Sequence, residues 1–380
     1  MGKIVKFWLF LFLIGNICAQ YKVLTPFSNL FFYPLLGFSI IAILSNLSTV
    51  FSFRTISAYK FIYSYVFILW IYQFTFGLNK THDDTWMYII AKTAMLLMTI
   101  IAVKKNYIFY HTSFCKYYLF FCVALIILGL TIFNYVASGR QYLGFGNPNA
   151  GGHLASICVA GLLMINPVKN KKWLSRGMML ICLVAVMLSG SRASLGIVIV
   201  AILMQYGLSK KLVITTAIVF FVLTIILPMI GIQLTAVERF TQTIENQNYS
   251  SGREVEREAA ILMIRESPWI GNGICTPQTE QAMRISELGS HNTYLDWLKW
   301  FGIPLGGILI FFLVVTTLRL FFYYRKTNDE YKRFHLFVVV STVLVCYFEG
   351  FIWGVNEMSN TLFFTSLAVL DSTISFKSNK

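Results

Sequence analysis

The sequence predicts an all-α, polytopic membrane protein, and three observations carry that prediction. Of its 380 residues 57% are apolar and only 12% charged, with a mean hydropathy of +0.68. The apolar residues fall into about twelve runs near the 17–25 residues that a bilayer-spanning helix needs. Lysines and arginines gather in short clusters between those runs, as the positive-inside rule expects. The formal charge of +15 therefore reads as membrane topology and gives no reason to expect a nucleic-acid partner. The 34 Phe, 20 Tyr and 8 Trp suit packing and interfacial belts.

The expected spans lie near 4–20, 30–50, 60–78, 85–103, 117–137, 150–166, 173–190, 193–208, 212–231, 303–323, 334–353 and 356–372. The first carries Lys3 and Lys6 ahead of an apolar core and ends at Cys18-Ala19. It reads as an uncleaved span, with a signal peptide as the alternative. Placing the N-terminus inside puts most of the 31 basic residues on the inner face, from Lys3 and Lys6 through Lys104 and Lys105 to Arg325 and Lys326. Both termini are then cytoplasmic. The seven cysteines sit mostly in apolar runs without a C-x-x-C and read as packing residues. Residues 1–380 form one membrane domain.

Between the ninth and tenth spans runs a long polar segment, 232–301, which this orientation places outside the membrane. Loops much longer than about 12–15 residues are usually functional or disordered. This one holds a helix signal. Ser251-Gly252-Arg253-Glu254 fits a capping box, and the helix should stop at Ser267-Pro268. Arg253, Arg257, Ala260 and Ile264 would share a face. The arginine stems could simply lie along the membrane there, with their heads in water.

Three short motifs on the outer side are candidates for chemistry. Gly144-Phe145-Gly146-Asn147-Pro148-Asn149 enters the sixth span, with Arg140 just ahead of it. Ser189-Gly190-Ser191-Arg192 links the seventh and eighth spans by so short a connection that Arg192 must sit at the membrane edge, where an arginine suggests an anion or water partner. The loop ends with Pro268-Trp269-Ile270-Gly271-Asn272-Gly273 and then Ser290-His291-Asn292-Thr293-Tyr294. The aromatic stretch TYLDWLKWFGIP that follows leads into the tenth span and pins His291 at the outer interface. The other histidines are scattered without ligand spacing, so neither a metal site nor a cofactor is expected. Glu349, inside the expected eleventh span, is an intramembrane acid open to two readings: a partner for a buried arginine, or a contact to acceptor sugar.

The segments GFGNPNAGGHLA, LSGSRASLGIVI, SGREVEREAAILMIRESPWIGNG and SHNTYLDWLKWFGIPLGGILIF, in this order around a large outer loop, resemble the bacterial O-antigen ligase and surface-polysaccharide polymerase superfamily. The resemblance covers roughly residues 140–310. It implies a GT-C-like membrane fold and an inverting, metal-independent glycosyltransferase in the bacterial inner membrane, with its active site on the extracytoplasmic face. Such an enzyme moves a glycan from an undecaprenyl diphosphate donor to a sugar hydroxyl. By motif position it assigns the catalytic roles to Arg192, Arg253 and His291, with Arg265 as a second candidate for the loop arginine. Arg140, Asn147, Asn149, Arg257, Arg265, Asn292 and Tyr294 are the accompanying substrate-binding candidates. A flippase and a chain-length regulator are the partners it implies, alongside membrane lipids.

The chemistry of those residue types agrees. Guanidinium groups bind a leaving diphosphate bidentately and stabilise its charge. A histidine can take the proton of the attacking hydroxyl, typically worth about 10²–10⁴-fold. A repeat-unit polymerase and a ligase that attaches finished glycan to a lipid A-core or other acceptor share these motifs. The absence of an added acceptor domain tilts the reading to polymerase. A lipid-linked sugar transporter is the alternative from another class, although it predicts repeats that the sequence does not show.

Overall fold

The computed structural model describes residues 2–80, 84–137, 139–165, 167–168, 171–207, 253–286, 290–355 and 358–377. The ninth expected span, at 212–231, and Ser251-Gly252 of the capping box lie outside them. The described elements are, in chain order, α1 (Gly2–Gln20), α2 (Ser28–Leu44), α3 (Lys60–Tyr72), α4 (Thr85–Lys105), α5 (Phe114–Thr131), β1 (Val136–Ala137), β2 (Arg140–Gln141), α6 (Pro148–Ile165), α7 (Lys172–Ser189), α8 (Arg192–Tyr206), α9 (Glu254–Glu266), α10 (Glu280–Ile285), α11 (Thr293–Tyr324), α12 (Glu330–Val345) and α13 (Met358–Lys377). The protein is all-α and polytopic, apart from one two-stranded antiparallel hairpin among the described residues.

Eight described helical stretches are long and apolar enough to cross a membrane: those built on α1 to α7, and α11. The other expected spans that fall among the described residues are helical but atypical. α8 has 15 residues and α12 has 16, shorter than a bilayer requires. α13 buries Asn360, Thr365, Ser366 and Asp371, so it is an interior helix of the bundle. α4 and α6 are buried along nearly their whole length. α6 packs against α5, α7, α8 and α12, and α4 against α1, α2, α3 and α13.

Three expected boundaries move. The second span ends at Leu44, and short helices at Leu47–Val50 and Phe53–Ala58 follow. The fifth ends at Thr131, and β1 and β2 occupy 136–137 and 140–141 instead. The eleventh ends at Val345, so Glu349 lies in an irregular segment between α12 and α13 and not in a helix. Non-helical backbone at this level needs internal partners for its carbonyls. It has them. Lys92 Nζ donates to the carbonyls of Ile352 at 2.6 Å and Gly354 at 2.9 Å, and the Tyr88 hydroxyl donates to Trp353 O at 2.7 Å. Lys92 also donates to Asn360 Oδ1 at 3.0 Å, and its charge lies 5.1 Å from the Phe364 ring centre. Lys92 is fully buried, and these groups are what make that tolerable.

The two ends of the bundle differ. At one, Lys105 reaches Asn46 at 2.6 Å, and Asp329 lies 3.1 Å from His111 and 3.5 Å from Lys332. At the other, the chain returns of α1, the β1–β2 hairpin, α9, α11 and the 346–355 segment converge. There Lys22 N donates to Gly144 O at 2.9 Å, and Gly146 N to Gln20 O at 3.0 Å. This second end carries the candidate site.

Candidate active site

α11 fixes His291 through its own cap. The Asn292 side chain accepts from the amides of Tyr294 at 3.0 Å and Leu295 at 3.1 Å, which satisfies two orphan donors of the helix start. The same helix start is tied to the irregular segment. Thr293 N donates to Cys346 O at 3.0 Å, Asn292 Nδ2 to Tyr347 O at 2.9 Å, and Thr293 Oγ1 to Glu349 O at 3.1 Å. Tyr294 Oη closes the joint on Val343 O at 2.5 Å. His291 itself adopts φ 45°, the left-handed region that non-glycine residues rarely occupy. Such strain persists only where its surroundings over-determine it, and it clusters at functional sites.

Glu349 stands at the centre of the polar network. Its Oε1 lies 2.9 Å from Arg253 Nη2 and accepts from Asn149 Nδ2 at 2.9 Å. Its Oε2 faces His291 Nδ1 at 3.8 Å, a charge contact longer than a hydrogen bond. Arg253 also donates to Phe348 O. Arg140 supports the network from behind, donating from Nη2 to Asn149 Oδ1 at 2.5 Å and from Nε to Ser189 O at 2.8 Å. Asn147 orients the turn, its Oδ1 accepting from Asn149 N at 2.9 Å, with Pro148 opening α6. The Glu349 side chain is only 8% exposed, and the guanidinium beside it supplies the countercharge that its burial requires.

α9 brings Arg253 there as its cap residue. The helix begins at Glu254, so Glu254 is its first residue and not the third that a capping box from Ser251 would require. It ends at Glu266 with Ser267 as cap, where Pro268 was expected to stop it. The Arg257 guanidinium carbon lies 4.7 Å above the Tyr347 ring. Pro268–Gly273 docks by backbone onto a break in α11. Ile303 N donates to Pro268 O at 2.7 Å, and Asn272 N to Lys299 O at 2.8 Å. Gly302, at φ 73°, makes the break, and a Cβ on Gly271 would sit 2.2 Å from Trp300 O. Both positions need glycine for close approach and for positive φ.

His291, Glu349, Asn147 and Asn149 line a cavity of about 760 Å³, together with Lys22, Asp84, Cys275 and the Asp296–Lys299 pair. Burial, then the negative charge of Asp84, pushes the Cys275 thiol up to about 12. Of the sequence-predicted residues, His291, Asn147 and Asn149 face this space. Arg253 and Arg140 brace it. Asn292 and Tyr294 are joints of α11, and Arg257 packs on Tyr347. Arg265 is exposed on the last turn of α9, at the far end from Arg253. Arg192 opens α8 beside the Ser189 carbonyl that Arg140 holds, and it is not among the residues lining the cavity. Among the described residues no His, Cys, Asp and Glu group is arranged to hold a metal ion. Sequence reasoning noticed Glu349 as an acid in an apolar run but did not see it as the hub.

In chemical terms, the site can hold an imidazole in one orientation against a carboxylate and present a guanidinium to an anion. Residues 177–312 match the family model described as O-antigen ligase. The match therefore includes Arg192, Arg253 and His291 and ends before Glu349. No curated protein matches the chain.

Proposed function

On the premise that the match over residues 177–312 supports membership of the O-antigen ligase and polymerase superfamily, we propose that this chain is a glycosyltransferase of surface-polysaccharide assembly. It moves a glycan from an undecaprenyl diphosphate carrier to a sugar hydroxyl, with inversion and without a metal ion. The observation that carries the reading is the Arg253–Glu349–His291 constellation on a cavity at one end of a membrane bundle.

His291 acts as the base. With Nδ1 turned to Glu349, Nε2 is the nitrogen left for the acceptor hydroxyl. The Glu349 carboxylate orients the ring and stabilises the imidazolium that forms. The hydroxyl oxygen attacks the anomeric carbon, its proton passes to His291, and the bond to the diphosphate breaks. Arg253 keeps N–H groups beyond those it spends on Glu349 and Phe348, and with Arg192 it meets the charge growing on the leaving diphosphate. Contacts of this kind tighten when substrate binds, so a 3.8 Å separation in the free protein accords with the role. The inner bacterial membrane is the setting, with both termini cytoplasmic and the cavity on the extracytoplasmic side. The lysine-bearing end around Lys104 and Lys105 supports that orientation.

Repeat-unit polymerisation is the activity we favour within this class. The test is the surface-polysaccharide ladder of a strain lacking the gene, complemented with wild type or with His291→Ala. A single-repeat product lengthened only by wild type supports polymerase. Full-length chains held on the carrier and missing from the final acceptor mean ligase. Complementation by His291→Ala removes the base assignment and favours a transporter.

A further inference from the structure

His291 is not alone among the ionisable groups that the start of α11 turns to the cavity. Asp296 and Lys299 also line it, and their side chains are only 7% and 9% exposed. Lys299 Nζ lies 3.3 Å from Asp296 Oδ1, and Ser290 Oγ donates to the same oxygen at 2.8 Å. A buried ion pair is weak evidence of stabilisation, because desolvation offsets the attraction and apolar side chains of similar volume often do as well. The pair is better explained by what it leaves open. An ammonium has three donors and a carboxylate about four acceptor directions. Among the described residues the hydrogen-bond and ion-pair partners of these two side chains are each other and Ser290, with Cys275 and Tyr88 within electrostatic reach. Adjacent unspent donors and acceptors in one wall match the alternating donor and acceptor groups of neighbouring sugar hydroxyls.

The position selects which sugar. Glu349 has the guanidinium side at Oε1, with Arg253 and Asn149, and the imidazole side at Oε2. Asp296 and Lys299 stand on the first two turns of the helix that His291 precedes, roughly 4.5 and 9 Å along its axis from Thr293 at 1.5 Å per residue. We propose that Asp296 and Lys299 form an acceptor subsite that hydrogen-bonds the hydroxyls of the sugar unit next to the one that reacts. This rests on the glycosyltransferase reading above.

The test uses the full-length protein in nanodiscs. The probe is the oligosaccharide released by mild acid from the polyprenyl-linked material that accumulates when the gene is deleted. Lacking diphosphate, it can act as acceptor only. Binding is followed by tryptophan fluorescence, since Trp300 and Trp353 line the cavity. Lys299→Met and Asp296→Asn should weaken binding at least tenfold and raise KM for the oligosaccharide, leaving KM for the lipid-linked donor unchanged. His291→Ala should bind like wild type but not turn over. Variants that bind like wild type, or a rise in donor KM instead, overturn the subsite. If either single variant fails to fold, the exchange Asp296→Lys with Lys299→Asp decides. It keeps the ion pair and should still lose binding, and wild-type affinity in it overturns the proposal. Wild-type protein that transfers no glycan and binds no oligosaccharide removes the glycosyltransferase reading itself. Transfer that these variants leave intact removes the subsite alone.

Discussion

Arg253 and Glu349 are 96 positions apart and meet at 2.9 Å, one from the cap of a loop helix and the other from an irregular turn between two buried helices. Their contact joins the loop to the bundle at the atom that also holds Asn149. Glu349→Gln should lower turnover by at least tenfold and leave Arg253 short of a countercharge. A double-mutant cycle of Glu349→Gln with Arg253→Ala should show coupling of about 1–3 kcal/mol in thermal unfolding. Additive effects would mean that the two act independently.

His291 combines chemical use with backbone strain. His291→Ala should cost about 10²–10⁴ in transfer rate. His291→Gly should be equally inactive yet more stable than His291→Ala by about 1 kcal/mol, because glycine accepts φ 45° freely. Melting curves of the two variants, measured side by side, check this.

The arginines separate by role. Arg253→Lys should lose most activity, since a point charge cannot donate to Glu349 and Phe348 and still grip a phosphate in parallel. Arg257→Ala should cost about 0.5–1 kcal/mol of stability through its lost stacking on Tyr347. Arg265→Ala should behave as wild type. The ladder assay separates Arg253→Lys from Arg265→Ala, and a melting curve reads Arg257→Ala.

Lys92→Met should destabilise the protein by about 2–5 kcal/mol, because it takes the donor from the Ile352 carbonyl and from Asn360 Oδ1 in a buried setting, while Gly354 O keeps the Asn360 amide. Tyr88→Phe removes the donor to Trp353 O and the hydroxyl contact to Tyr65 Oη, and should cost about 1–2 kcal/mol. Equal stability in the Lys92 variant would show that the segment finds other partners.

Cys275 reports on the cavity. A thiol pushed up to about 12 by burial, and then by Asp84, exposes little thiolate near neutrality. Its maleimide labelling at pH 7.5 should be roughly 10³-fold slower than that of an ordinary thiol and should still be climbing above pH 9. Asp84→Asn removes a negative charge, lowers the thiol's pKa and should speed the reaction. Cys275→Ser identifies the signal.

Much of the membrane scaffold was legible because bilayer thickness imposes a length on apolar runs. Arg253 and His291 could be singled out from local signals, a helix start and an aromatic re-entry into the membrane. Glu349 was harder to place. The apolar run through 334–353 gives no local sign that the helix stops at Val345, since what replaces its hydrogen bonds comes from Lys92, Tyr88 and Thr293 far away in sequence. Arg192 shows the converse, where a strong local motif does not of itself say which side chains face the cavity. Arg265 was a plausible alternative only until the direction of α9 set it a whole helix away from Glu349.

The backbone clasp between Pro268 and Ile303 closes a circuit in the chain, and the ties of Thr293 to Cys346 and Glu349 fix a second point inside it. The stretch around α10, between Thr276 and Ser286, is thus suspended between two anchored posts. It rests on α9 through buried Ala282 and meets the cavity at Thr276, so its exposed positions can change in length or composition without moving the imidazole.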